Sequence, residues 1–91
     1  MAAQFSDLCI LAPDYQFLLR LVRSGQIAFV DLGILESFPA KMLERKGLAK
    51  FRNGVLWPTA LGNAAARVPA AGLESGVIFL TAGELAAAAA L

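Results

Sequence analysis

The sequence predicts a single α+β domain with a three-helix core, a β-hairpin and a further pair of strands formed by the two ends of the chain. The hairpin is indicated by Asn53-Gly54, which stands between two short segments of β-prone residues. The helices are indicated by apolar residues at spacings of three and four. The end strands are indicated by short apolar runs at residues 8–12 and 76–81, which we expect to pair with each other.

Apolar spacing and helix punctuation locate the helices in order. Pro13 suits the first turn of the first helix, and Gly25 suits its end. Gly47 closes the third helix, whose start is signalled by residues 37–39, and Thr59 is placed to cap the fourth. The predicted helices are Tyr15–Arg23, Gln26–Leu35, Ala40–Lys46 and Ala60–Arg67.

The strongest local signal is the hairpin. Residues 48–52 alternate apolar and polar side chains, Asn53-Gly54 supplies a type I′ turn, and residues 55–57 return. A linker is predicted over residues 69–72, ahead of the last strand. We assign residues 1–87 to one domain and interpret residues 88–91 as a cloning-derived or disordered tail.

The residue inventory excludes several kinds of chemistry. The 91 residues include no histidine and a single cysteine, so no zinc cluster and no Ser–His or Cys–His pair can form. The seven acidic residues are scattered, and no glycine-rich phosphate loop is present. We therefore expect no enzyme activity, no metal and no cofactor. Cys9 stands in an apolar run and is expected to be a small buried side chain.

No stretch of 18 or more strongly apolar, uncharged residues occurs, and no basic segment precedes an apolar run at the N-terminus. The sequence therefore predicts a soluble, cytoplasmic protein that does not insert into a membrane.

Charge is distributed unevenly along the chain. The net charge of +1 divides into −2 over residues 1–39, +5 over residues 40–67 and −2 over residues 68–91. Such a local basic block indicates a contact surface for phosphates or for an acidic partner. The alternative is the solvated face of an ordinary helix and hairpin.

Residues 42–50, the hairpin and residues 58–62 resemble a pattern of bacterial regulators of the MarR and PadR type and of related phage and archaeal domains. That pattern reads L-x-x-K-G-L, then a hairpin, then L-T-x-x-G, and the outline extends from Leu18 to Arg67. The resemblance implies a winged helix-turn-helix fold. In DNA-binding members the third helix enters the major groove and the hairpin, called the wing, contacts the backbone or the minor groove.

By position, the resemblance implies roles for particular residues. Ser37, Ala40, Lys41 and Glu44 would face the groove, and Lys50, Arg52 and Asn53 would touch phosphates or the minor groove. The interval between Gly33 and Gly47 is shorter than is common in the family, so the third helix has only about two turns. The candidate nucleic-acid-binding residues are Lys41, Arg45, Lys46, Lys50, Arg52 and Asn53.

The roles of the two hairpin aromatic residues and of the apolar end segments each have two alternatives. Phe51 and Trp57 are expected to anchor the hairpin on the core, with base stacking as the alternative. Tight DNA recognition by so short a helix would need a homodimer that reads two half-sites. The apolar segments at the two ends of the chain could form the dimer interface; the alternative is that they are buried in the core. They contain Phe5, Leu8, Ile10, Val77, Phe79 and Leu80.

Two functions follow from the sequence. The first is a small DNA-binding regulator of bacterial or phage origin that contacts double-stranded DNA. The second is a winged helix that binds a protein, such as an accessory subunit or a phage-encoded inhibitor of a host nucleic-acid machine. The second is favoured by the short third helix and by the absence of side chains that read bases.

Overall fold

The computed structural model describes residues 5–68 and 75–90, which form four α-helices and two small antiparallel sheets. The predicted α+β class is confirmed. The strands are β1 (Leu8–Leu11), β2 (Ile27–Ala28), β3 (Ala49–Arg52), β4 (Val55–Pro58) and β5 (Val77–Leu80). The helices are α1 (Ala12–Ser24), α2 (Ser37–Arg45), α3 (Ala60–Arg67) and α4 (Ala82–Ala89), and two 3₁₀ turns span Phe29–Asp31 and Ile34–Glu36.

The ends of helix α1 are marked in the sequence by a proline and a glycine. Pro13 lies in its first turn, and Gly25 ends it with a φ of 83°. The Gly25 amide donates to the carbonyl oxygens of Leu21 and Val22, which closes the last turn. The first helix is therefore confirmed, with a start three residues earlier than predicted.

The second predicted helix, Gln26–Leu35, is wrong. Ile27 and Ala28 instead form β2, which pairs antiparallel with Leu56 and Val55 of β4. The remaining residues make the two 3₁₀ turns, separated by Leu32 and Gly33. Pairing with the hairpin overrides helical spacing here, and the β-branched residues and Gly33 give the segment little helix propensity to oppose it. The three-stranded sheet has the order β2-β4-β3.

The two ends of the chain pair as predicted, since β1 and β5 form an antiparallel ribbon. Alternation along each strand buries Ile10, Ile78 and Leu80 and leaves Leu11 and Phe79 exposed. Cys9 lies opposite Phe79 and is exposed, so the expectation that it is buried is wrong. Among the residues proposed for a dimer, Val77 and Phe79 are exposed, Leu8 and Phe5 are half-buried, and Ile10 and Leu80 belong to the core.

The core lies between the ribbon, the helices and the inner face of the three-stranded sheet. Its largest fully buried side chains are Tyr15, Ile10, Leu18, Leu21, Leu43, Leu48, Leu56, Ile78, Leu80 and Leu85. The Tyr15 hydroxyl is 3.2 Å from the Ala65 carbonyl oxygen and 3.1 Å from that of Val68, and it donates to the end of α3. Its polar end is thereby satisfied within the core.

Helix α4 begins with a capping box formed by Thr81 and Glu84. The Ala82 amide also donates to the carboxylate of Asp7 at 2.7 Å, which joins the start of α4 to the N-terminal segment. Of the predicted tail, Ala88 is buried and α4 continues to Ala89, whereas Leu91 lies outside the described residues. The predicted linker at residues 69–72 lies outside them as well. None of the described helices has the length and apolar character needed to cross a membrane.

Candidate nucleic-acid interface

The hairpin of β3 and β4 turns within two residues, and this turn decides which side chains share a face. Asn53 and Gly54 have φ values of 53° and 76°, as a type I′ turn requires at both positions. The predicted hairpin is therefore confirmed. The register pairs Arg52 with Val55, Phe51 with Leu56, Lys50 with Trp57 and Ala49 with Pro58.

The outer face of the hairpin combines two cations with the chain's one tryptophan. Lys50 and Arg52 point away from the core, and Trp57, directly across from Lys50, lies on the same face with 39% of its surface exposed. A groove of about 280 Å³ is lined by Lys50, Arg52, Trp57 and Pro58, and we call it the hairpin groove. It is shallow and open to solvent.

The expectation that Phe51 and Trp57 both anchor the hairpin is wrong for Trp57. Phe51 is half-buried and pairs with fully buried Leu56 on the inner face. Trp57 occupies the next position along β4 and so points to the other face, because successive side chains in a strand alternate. Trp57 and Pro58 are thus the residues of the groove that the predicted site did not include.

Helix α2 supplies two more exposed cations. Lys41 and Arg45 are four residues apart and lie on the same side of the helix as Phe38, and all three are exposed. Ala40 is 1% exposed, so its expected position facing a DNA groove is wrong. The Ser37 hydroxyl donates to the Ile34 carbonyl oxygen at 3.0 Å, which leaves this half-buried side chain engaged within its own segment.

Glu44 connects α2 to the edge of the hairpin. Its carboxylate accepts a hydrogen bond from the Phe51 amide at 3.3 Å. β3 is an edge strand of the sheet, so this contact satisfies an amide that has no partner strand on that side. Glu44 was expected to face a DNA groove; its carboxylate instead binds the backbone of β3.

Lys46 has a different electrostatic environment from the other candidate cations. It is half-buried at the end of α2, and its positive charge acts on Asp14 at the start of α1. Asp14 is buried, and its Oδ2 atom accepts no hydrogen bond within the described part of the chain. Burial raises the pKa of Asp14 above its usual value, and the charge of Lys46 opposes part of that rise. Part of the Lys46 charge is therefore balanced within the fold.

Thr59 holds the hairpin against the helices. Its hydroxyl donates to the Gly47 carbonyl oxygen at 2.6 Å and accepts from the Gly62 amide at 3.1 Å, which caps α3. Its amide donates to the Leu48 carbonyl oxygen at 3.0 Å. The turn after α2, the end of β4 and the start of α3 are thus tied together by one residue.

The structure therefore distributes the six predicted residues over four places. Lys50 and Arg52 line the hairpin groove, and Asn53 is exposed at the turn beyond it. Lys41 and Arg45 lie on the outer side of α2, while Lys46 is beside Asp14.

A second exposed surface is apolar. Between β2 and the first turn of α2, five large apolar residues are each between 58% and 91% exposed: Phe29, Val30, Ile34, Leu35 and Phe38. We call this the 29–38 surface. It was not anticipated, because the segment was predicted as a helix with one side packed on the core.

The described residues provide no obvious metal centre. Within residues 5–68 and 75–90, no three His, Cys, Asp or Glu side chains lie close enough together to hold a metal ion. That the chain is not an enzyme stays a prediction.

No protein-family model, curated protein or solved structure matches this chain. The resemblance to winged-helix regulators therefore stays a prediction.

Proposed function

We propose that this chain is a winged-helix DNA-binding domain whose wing, the β3–β4 hairpin, makes the principal contact. The observation that supports it best is the hairpin groove, where Lys50, Arg52 and Trp57 lie on one face. This combination suits the backbone of a duplex, since the charges bind phosphates and an exposed aromatic ring packs against the sugars. The order α1, α2, hairpin, α3 agrees with the resembled fold, although two 3₁₀ turns replace one expected helix.

The number of exposed cations sets the expected strength of binding. Lys41, Arg45, Lys50 and Arg52 are all exposed, and none of them forms an ion pair within the described residues. If these four side chains neutralise four phosphates, the logarithm of the binding constant falls with the logarithm of salt concentration with a slope of about −3.6. Binding of this kind has dissociation constants of roughly 1 to 100 µM at physiological salt.

The same geometry predicts weak sequence selectivity. The exposed side of α2, a helix of nine residues, presents Phe38, Lys41 and Arg45, so only two side chains on it, Lys41 and Arg45, can make hydrogen bonds to base edges. One monomer therefore binds DNA mainly through its backbone. A regulator built on this domain would gain selectivity by presenting two copies to two half-sites.

The test compares two double variants that lose the same charge. Lys50→Ala with Arg52→Ala removes the cations of the groove, whereas Arg23→Ala with Arg67→Ala removes two exposed arginines from the ends of α1 and α3. Fluorescence anisotropy with a labelled duplex of mixed sequence gives the binding constant at several salt concentrations. The groove variant is expected to reduce the slope to about −1.8, and the control is expected to keep the wild-type slope. Equal losses in both variants, or a groove variant that binds as the wild type does, would contradict the proposal.

The 29–38 surface favours the second candidate function, a domain that binds a protein. Five exposed apolar residues in one short segment are unusual on a monomer and are typical of protein interfaces. This surface and the hairpin groove are compatible, because Phe29 packs against Phe51 on the inner face of the hairpin and the groove lies on the outer face.

A further inference from the structure

The 29–38 surface approaches the size of one side of a stable protein interface. Its five residues expose more than half of their surface each, and large side chains present roughly 200 Å² when fully open. Together they offer on the order of 700 Å². The largest apolar patch on a typical monomer is roughly 300–600 Å², and each partner in a stable protein complex buries about 800 Å². The surface therefore exceeds what a monomer usually leaves in water and approaches what one side of a dimer needs.

The shape of the segment is fixed by its contacts with the rest of the fold. The Phe29 amide donates to the Gly54 carbonyl oxygen at 2.8 Å, and the Phe29 and Phe51 rings meet edge to face with centroids 5.9 Å apart. Farther along, Glu36 accepts from the Gly33 amide at 2.8 Å and forms an ion pair with Arg20 of α1. The apolar side chains are therefore presented from an ordered backbone, which lowers the entropic cost of binding.

The charges at the border of the surface have both signs. Asp31 follows Val30 directly, and Lys41 lies one helical turn after Phe38. A partner that carried only one sign of charge would meet repulsion at one of these positions. A second copy related by two-fold symmetry presents the same two charges in the opposite order, so each can approach its opposite. In the dimer Lys41 then faces Asp31 of the second copy, which leaves Arg45, Lys50 and Arg52 of each copy for phosphates.

We propose that the 29–38 surface binds the same surface of a second copy of this chain and forms a two-fold homodimer. The contact centres on Ile34 and Leu35, the two adjacent residues that are 91% and 79% exposed. The interface is thus separate from the terminal ribbon, where Leu11, Val77 and Phe79 form a smaller exposed apolar face. Both hairpin grooves stay open in this dimer, since each lies on the sheet face opposite Phe29 and Phe51.

The test measures molecular mass without nucleic acid, so its result is independent of DNA binding. Light scattering and sedimentation at roughly 100 µM chain are expected to give twice the 9.6 kDa of one chain. Ile34→Glu with Leu35→Glu is expected to raise the dimer dissociation constant by about 100-fold or more, because four carboxylates would be buried in the contact. Both side chains are exposed in the monomer, so the variant keeps its fold, which circular dichroism checks.

The matched control changes the same number of exposed apolar residues on the terminal ribbon. Leu11→Glu with Phe79→Glu is expected to leave the dimer intact. A wild-type protein that is monomeric at every concentration would overturn the proposal and leave the surface to a different protein. A dimer that dissociates in the ribbon variant and persists in the Ile34 and Leu35 variant would place the interface on the ribbon and overturn it too.

Discussion

Gly62 is the residue at which the packing of α3 against the hairpin can be tested most sharply. It lies in the first turn of α3, directly against the backbone of Leu48 at the start of the hairpin. A Cβ atom at Gly62 would overlap the Leu48 carbonyl oxygen and lie 3.0 Å from its carbonyl carbon. We predict that Gly62→Ala destabilises the fold, although alanine favours helices.

The size of the effect follows from what surrounds the overlap. The Leu48 carbonyl accepts from the Thr59 amide at 3.0 Å, and the Leu48 amide donates to Leu43 at 2.8 Å, so this segment is held on both sides. Inserting a methyl group into such packing costs about 3 kcal/mol, the upper end of the usual range. The higher helix propensity of alanine over glycine offsets about 1 kcal/mol of this cost. The net loss is about 2 kcal/mol, which lowers the Tm of a domain of this size by roughly 8–16 °C.

Thermal and urea unfolding followed by circular dichroism measure this change, with Gly83→Ala as the matched control. Gly83 is also helical, and a Cβ atom there meets nothing within 4 Å. Gly83→Ala is therefore expected to raise the free energy of unfolding by up to about 1 kcal/mol. Equal stabilisation in both variants would refute the described contact between α3 and Leu48.

Two other predictions concern stability. Thr59→Ala removes the α3 cap and the hydrogen bond to Gly47 and is expected to lower the free energy of unfolding by about 1–2 kcal/mol. Thr59→Ser keeps the hydroxyl and is expected to keep most of the wild-type stability. An unchanged urea midpoint in Thr59→Ala would contradict this role. Asp14→Asn is expected to raise the Tm at neutral pH, because burial disfavours the ionised carboxyl. The raised pKa means that the folded state binds this proton more readily than the unfolded state, so the wild-type penalty is present at neutral pH and fades as pH falls toward about 4. The Tm values of the wild type and of Asp14→Asn should therefore converge as the pH falls from 7 toward about 4. A Tm difference that stays constant over this range would show that burial of the ionised carboxyl is not its cause.

Local rules predicted the elements whose ends are marked by turn or cap residues. Thr59 and Gly25 mark helix ends in the sequence, and both occupy those positions in the structure. Asn53-Gly54 even fixes the hairpin register, since a two-residue turn pairs residue 52 with residue 55. Counting outward from that turn places Trp57 opposite Lys50. The outward direction of Trp57 therefore follows from the sequence, and the expectation that Trp57 anchors the hairpin on the core overlooked this register.

The segment before α2 could not be predicted in the same way. The fate of residues 26–36 depends on pairing between Ile27 and Leu56, which are far apart in the chain, and helical spacing contains no information on that contact. The exposed apolar surface arises from the same pairing, because the 3₁₀ turns present side chains that a packed helix would have buried. The balance between Lys46 and Asp14 is also a tertiary effect, since it joins the end of α2 to the start of α1.

The most direct test of the hairpin groove as a DNA contact is the fluorescence of Trp57. It is the one tryptophan in the chain and lines the groove, so its emission reports on that surface alone. Titration with unlabelled duplex DNA is expected to change Trp57 emission. The logarithm of the binding constant obtained from this change is expected to fall with the logarithm of salt concentration with a slope of about −3.6. Binding seen by anisotropy that leaves the Trp57 emission unchanged, or no binding at low salt, would contradict the proposed DNA contact at the hairpin groove.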